Sequence, residues 1–148
     1  MNGELFGLDM SISKMAVLGA GQMGNGITQV AACAGIEVVM IDIKQEFVDR
    51  GIATIEKSLA KLVSKERMSQ EDADSARAKI STSTDRSVCS DVDLVVEAVP
   101  EILDLKISIF SELDGICKPD CILASNTSSS SISTIAESTN RPDKVIGM

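Results

Sequence analysis

The stretch "AVLGAGQMGNGI", residues 16–27, decides the fold. Gly19, Gly21 and Gly24 stand in G-x-G-x-x-G register between an apolar run of strand length, Lys14–Gly19, and a segment of helical period, Gln22–Ala34. In that context Gly19 permits a tight turn and Gly21 lets backbone amides approach a pyrophosphate. Gly24 lets the helix pack close to the strand, with the helix N-terminus facing the phosphates. Glycines serving packing alone in a tight β–α turn would give the same letters, so the next strand matters. That strand, Glu37–Asp42, ends in an acid about 20 residues beyond the loop, where a carboxylate accepts both hydroxyls of a ribose. An acid there repels a 2′-phosphate and favours NAD over NADP, although Lys44 follows two residues later. A methyltransferase also places an acid after its second strand and is the competing reading.

Outward from this unit, strand-length apolar runs alternate with helical segments. Lys44–Lys65 carries Phe47, Val48, Ile52, Ile55, Leu59 and Leu62 at helical spacing. Ser69–Arg77 is a shorter helix opened by the capping-box pattern Ser69-Gln70-Glu71-Asp72. Ile80–Thr82, Val92–Ala98, Cys121–Ala124 and Val145–Met148 read as strands, and Asp104–Ile116 and Ser131–Ser138 as helices. The alternation predicts an α/β fold: a doubly wound, Rossmann-type parallel sheet with helices on both faces. One domain is expected over residues 14–148, behind a short N-terminal extension at 1–13.

Composition narrows the function. The chain is 44% hydrophobic but only 2% aromatic, so its core must be aliphatic. A formal net charge of −8 and the scarcity of stacking surfaces argue against nucleic acid as a partner. No apolar run is long enough to span a bilayer, and the opening stretch has no cationic n-region, so a cytoplasmic location is expected. Cys33, Cys89, Cys117 and Cys121 read as reduced structural thiols. With no histidine in the chain, no metal site is expected.

In an open α/β sheet ligands bind outside the carboxyl ends of the strands, and two further segments land on that rim. After Val92–Ala98 come Val99, Pro100 and Glu101, with Lys106 one turn into the next helix; after Cys121–Ala124 comes "SNTSSSSIS". The serines read either as helix caps or as hydroxyls beside the nicotinamide end of a cofactor.

In that order, "GAGQMGNGI", "VVEAVPE" and "ASNTSSSSI" closely resemble the N-terminal domain of the 3-hydroxyacyl-CoA dehydrogenases, including the 3-hydroxybutyryl-CoA type. The resemblance runs from about Lys14 to Met148. It implies that Gly19, Gly21 and Gly24 hold the pyrophosphate of NAD and Asp42 the adenosine ribose, with Gln22 and Met23 also binding the cofactor. It places Glu101, Lys106 and Asn126 beside the cofactor, and Ser128 near the nicotinamide, hydrogen-bonded to the substrate's reacting oxygen. It also puts Ser58 and Lys65, on the long helix after the second strand, against coenzyme A. Seven residues bring a helix back to within about 20° of the same face, roughly 10 Å along. Lys57, Lys61 and Lys65 form a cationic row there that suits CoA phosphates; the plain alternative is a solvated flank.

The implied reaction is reversible oxidation of a (3S)-3-hydroxyacyl-CoA to the 3-oxoacyl-CoA, with a base taking the hydroxyl proton while hydride leaves C3. The family uses a histidine supported by a glutamate. In relatives the strand matching "KVIGM" runs into the segment carrying that histidine, and a helical domain that forms the dimer follows. The expectation is therefore an acyl-CoA-binding homodimer as the intact protein, and NAD binding without turnover by these 148 residues alone. Two alternatives are a free-standing NAD(H)-binding module without catalysis and another 3-hydroxyacid dehydrogenase on the same scaffold.

Overall fold

The computed structural model describes residues 12–127 and 129–148. Of the expected extension only Ile12 and Ser13 fall within these, and Ser128 lies outside them. Six strands, β1 (Lys14–Leu18), β2 (Glu37–Ile41), β3 (Ile80–Ser83), β4 (Leu94–Glu97), β5 (Ile122–Ser125) and β6 (Val145–Gly147), form one sheet. Their order is β3-β2-β1-β4-β5-β6, with every neighbouring pair parallel. This is the doubly wound arrangement that the sequence predicts.

A central parallel strand is covered on both faces, so its residues divide between two cores. Met15 and Val17 of β1, Val38 and Met40 of β2 and Val96 of β4 pack with α1 (Gln22–Cys33), α2 (Gln45–Ser64) and α3 (Gln70–Ala78). Ala16, Leu18, Val39, Ile41, Val95 and Leu123 face the other way, against α4 (Leu103–Ile116) and α5 (Ser129–Glu137). Phe110 is the one aromatic residue in either buried cluster among the described residues; aliphatic side chains otherwise fill both.

The capping reading of α3 holds: Ser69 Oγ accepts the Asp72 N–H at 3.0 Å. The strand expected over Val92–Ala98 is shorter, Leu94–Glu97. A 3₁₀ turn at Arg86–Asp91 precedes it and buries Cys89, and Asp93 turns its carboxylate onto the amides of Ser13 and Lys14 instead of continuing the strand. The helix expected from Ser131 begins at Ser129. Another 3₁₀ turn, Pro142–Lys144, leads into β6.

Just before that turn, Arg141 is 8% exposed and locks the end of α4 to the sheet. Its Nε donates to Asp114 Oδ1 at 2.6 Å, and its remaining nitrogens donate to the carbonyls of Asp114, Cys117, Lys118 and Cys121. A cation at a helix C-terminus satisfies carbonyls that have no partner within the helix. All four cysteines are free, and burial pushes the Cys89 thiol up to about 12, so it stays protonated. No helix of the described residues is long and apolar enough to cross a membrane.

Candidate functional site

The chain reverses direction across the sheet between β1 and β4, and the loops after these strands part there to leave a crevice. Gly19, the first residue after β1, has φ +110°, and a Cβ on it would lie 2.6 Å from the Ala98 carbonyl oxygen. A Cβ on Gly24 would lie 1.7 Å from the Gly19 carbonyl oxygen, so nothing larger than glycine fits at this crossing of loop and helix. Gly21 differs, because a Cβ there would meet no protein atom within 4 Å. The protein's own packing does not ask for a glycine at that position, and the space is left open over the first turn of α1. Gly21 is the N-cap of α1, with no side-chain cap and no acid in the first turn. Unpartnered N–H groups and the positive end of the helix therefore face that space, and a phosphate fits it.

Asp42, just past β2, accepts the Ala20 N–H at 2.8 Å on Oδ2 and the Ile43 N–H at 2.7 Å on Oδ1. A carboxylate has about four acceptor positions, so two remain for hydroxyl donors. Two hollows meet at this residue. One, of about 540 Å³, holds Gly21, Met23, Glu101 and Asn126 on its walls; the other, of about 350 Å³, holds Thr84, Arg86 and Glu112. Both share Gly19, Asp42, Ile43 and Val99, which makes one continuous groove across the strand ends.

The rim beyond β4 and β5 is built on a buried ion pair. Lys106 and Glu97 are both 0% exposed, with Lys106 Nζ 3.3 Å from Glu97 Oε1. Lys106 also donates to Glu101 Oε2 and to the Asn126 carbonyl, each at 3.1 Å. Glu97 accepts the Val99 N–H at 2.7 Å and the Ser125 hydroxyl at 2.6 Å. Thr127 donates from its hydroxyl to the outer oxygen of Glu101. The Thr127 hydroxyl, then Lys106, hold the Glu101 carboxyl below the usual range, so it is ionised at neutral pH.

The fold thus brings Gly19, Gly21, Met23, Asp42, Glu101 and Asn126 to one groove, with Lys106 beneath its rim rather than open to it. Gln22 faces a smaller hollow of about 220 Å³ between the loop and α2, beside Asn25, Arg50 and Thr54. Ser58 and Lys65 lie elsewhere, along and just past α2; Ser58 is half-buried and Lys65 exposed. Sequence reasoning missed Glu97, although the signal was present: a carboxylate inside the apolar run "VDLVVEA" must have a buried partner. It also missed Gly51, where a Cβ would lie 2.8 Å from the Ala20 carbonyl oxygen, so that α2 can press against the glycine loop.

A parallel doubly wound sheet with an uncapped glycine turn after its first strand and an acid after its second defines a dinucleotide-binding domain. The profile of the family "3-hydroxyacyl-CoA dehydrogenase, NAD binding domain" matches residues 14–148, and the chain belongs to that family. It is 48% identical over 135 residues to a probable 3-hydroxybutyryl-CoA dehydrogenase of Deinococcus radiodurans, covering 91% of this chain and 48% of that protein. The crystal structure of (S)-3-hydroxybutyryl-CoA dehydrogenase from Ralstonia eutropha superposes with a TM-score of 0.89 at 45% identity, covering 93% of this chain and 49% of that one. That of 3-hydroxybutyryl-CoA dehydrogenase from Escherichia coli K12 gives 0.91 at 35% identity, over 93% of this chain and 29% of that one. The chain therefore spans about half the length of the Deinococcus and Ralstonia proteins.

Proposed function

We propose that this chain is the NAD-binding part of an enzyme that interconverts (3S)-3-hydroxyacyl-CoA and 3-oxoacyl-CoA by hydride transfer. What carries the reading is the single groove shared by the open glycine turn, Asp42 and the Glu101–Asn126 rim. In this reading the amides beside Gly21 hold the pyrophosphate, and Asp42 receives the adenosine ribose on its two remaining acceptor positions. The hollow beside Thr84 and Arg86 takes the adenine, and Glu101 and Asn126 face the nicotinamide half. NAD, when bound, supplies the hydride acceptor.

Ser128 is assigned, from the family resemblance, to the hydrogen bond with the substrate's reacting oxygen. A serine hydroxyl is a poor base at neutral pH, and Asp42 is committed to the ribose. Glu101 is held ionised by Thr127 and Lys106, which makes it a weak proton acceptor. The 148 residues contain no histidine. We therefore assign the general base, the closure of the acyl site and the dimer contact to the portion of these dehydrogenases that the chain does not span. Ser58 and Lys65 are assigned to coenzyme A along α2, where Lys57 and Lys61 are also exposed. The domain runs over 14–148 behind the extension 1–13, and the protein works in the cytoplasm.

The test is to titrate the chain with NADH and follow nicotinamide fluorescence, then add acetoacetyl-CoA and follow NADH absorbance. Binding without turnover is expected. Failure to bind NADH overturns the cofactor reading, and rapid turnover overturns the assignment of the base.

A further inference from the structure

We propose that Glu97 is a positioning residue for the nicotinamide half of the groove, an inference that rests on the NAD reading above. Glu97 does not line the groove and is 0% exposed. Its carboxylate nevertheless organises both loops that form the rim. Within the loop after β4 it accepts the Val99 N–H at 2.7 Å, which fixes the turn that leads to Pro100 and Glu101. At the end of β5 it accepts the Ser125 hydroxyl at 2.6 Å, one residue before Asn126. Through Lys106, 3.3 Å away, it reaches Glu101 Oε2 and the Asn126 carbonyl, so a single buried negative charge is connected to every rim group already described.

Stability is a weak explanation for such a pair. Desolvating two charges costs about as much as their attraction returns, and a well-packed apolar pair does as well in many proteins. The pair instead fixes geometry. The Lys106 ammonium donates to Glu101 and to the Asn126 carbonyl and is ion-paired with Glu97, so one charged group ties the two rim loops to the end of β4. Without Glu97 the ammonium would be left with one carboxylate, the solvent-facing Glu101, and would draw that residue inward. The adenosine half depends on it less: Asp42 is held by Ala20 and Ile43, on the other side of β1, and of the groups that Glu97 holds only Val99 also borders the hollow beside Thr84 and Arg86.

That asymmetry gives the test. Glu97→Gln keeps the shape but sets an amide NH₂ against either the Val99 N–H or the Lys106 ammonium. Affinities for NADH and for ADP-ribose, which lacks the nicotinamide, are measured by calorimetry, together with nicotinamide fluorescence per bound NADH. The variant is expected to bind NADH about tenfold more weakly with reduced fluorescence enhancement, while ADP-ribose affinity stays within about twofold. Lys106→Met should act in the same direction, and the double variant should be no weaker than Lys106→Met alone, because both changes disturb one linked rim. Ser125→Ala removes one bond to the carboxylate and leaves both charges in place; it is expected to weaken NADH about threefold and serves where Glu97→Gln does not fold. Equal loss for NADH and ADP-ribose overturns the proposal in favour of general loosening, and no loss for either overturns it outright. A wild-type chain that binds neither ligand overturns the NAD reading and this proposal together.

Discussion

The Asp42 carboxylate accepts the Ala20 amide at 2.8 Å, so the acid that follows β2 also fastens the glycine loop that follows β1. One side chain therefore joins the position proposed for the ribose to the one proposed for the phosphates. Asp42→Ala should weaken NADH by more than the loss of two ribose hydrogen bonds, by about a hundredfold, because the loop is released as well. It should also shift the NADH-to-NADPH affinity ratio towards NADPH by about tenfold, since a negative charge leaves the ribose site. Parallel titrations with the two nucleotides check both expectations.

Gly21 and Gly24 should separate binding from folding. Gly24→Ala forces a Cβ to 1.7 Å from the Gly19 carbonyl oxygen, and the resulting overpacking is expected to cost about 3 kcal/mol or more in urea unfolding. Gly21→Ala meets no protein atom and sits at φ −70°, so its stability should change by about 1 kcal/mol or less. Its NADH affinity should nevertheless fall at least about tenfold, because the new methyl group occupies the space left for a phosphate.

Arg141 has the opposite character. Replacing it with methionine leaves Asp114 and four inward-facing carbonyl groups without their cation, in a region where Arg141 itself is 8% exposed. A loss of about 3–5 kcal/mol in chemical unfolding is expected. In preparations that remain folded, NADH affinity should be unchanged, because none of these groups lines the groove.

Acid should act through Asp93. Burial works against ionisation of its carboxyl, but Lys118 and the backbone amides of Ser13 and Lys14 outweigh burial and hold it down to about 2. The unfolded carboxyl titrates near ~3.9, so the folded value is the lower one. The stabilisation is then fully present above about pH 4 and disappears as pH falls through the window down to about 2. Thermal unfolding of the wild type and Asp93→Asn across pH 5 to 2 checks this: the variant should be less stable at neutral pH and should lose less on acidification.

Local letters announced most of the fold, because each β–α unit combined an apolar run with a glycine, serine or acid at the turn. Gly19, Gly24 and Asp42 were legible since their constraint acts within or next to the turn they occupy. The shortening of β4 was not legible: Asp93 leaves the strand pattern for the amides of Ser13 and Lys14, about eighty residues earlier. The position of Lys106 was only half legible, since its spacing placed it in the first turn of α4 but gave no sign that it is wholly buried. Glu97 escaped for a related reason, as two of its partners, Ser125 on β5 and Lys106 on α4, belong to other elements that only the fold brings to it.

The strand order also sets a timetable. β1 lies between β2, which follows it closely, and β4, whose approach is marked by the Asp93 contacts to Ser13 and Lys14 across sequence separations of 80 and 79 residues. On a ribosome adding about 5–20 residues per second, the middle strand of the sheet waits roughly 4–16 s with one side unpaired. For that interval the nascent chain carries an open strand edge of unpaired N–H and C=O groups bearing the apolar side chains of Met15–Leu18, so its most vulnerable moment comes before the groove exists.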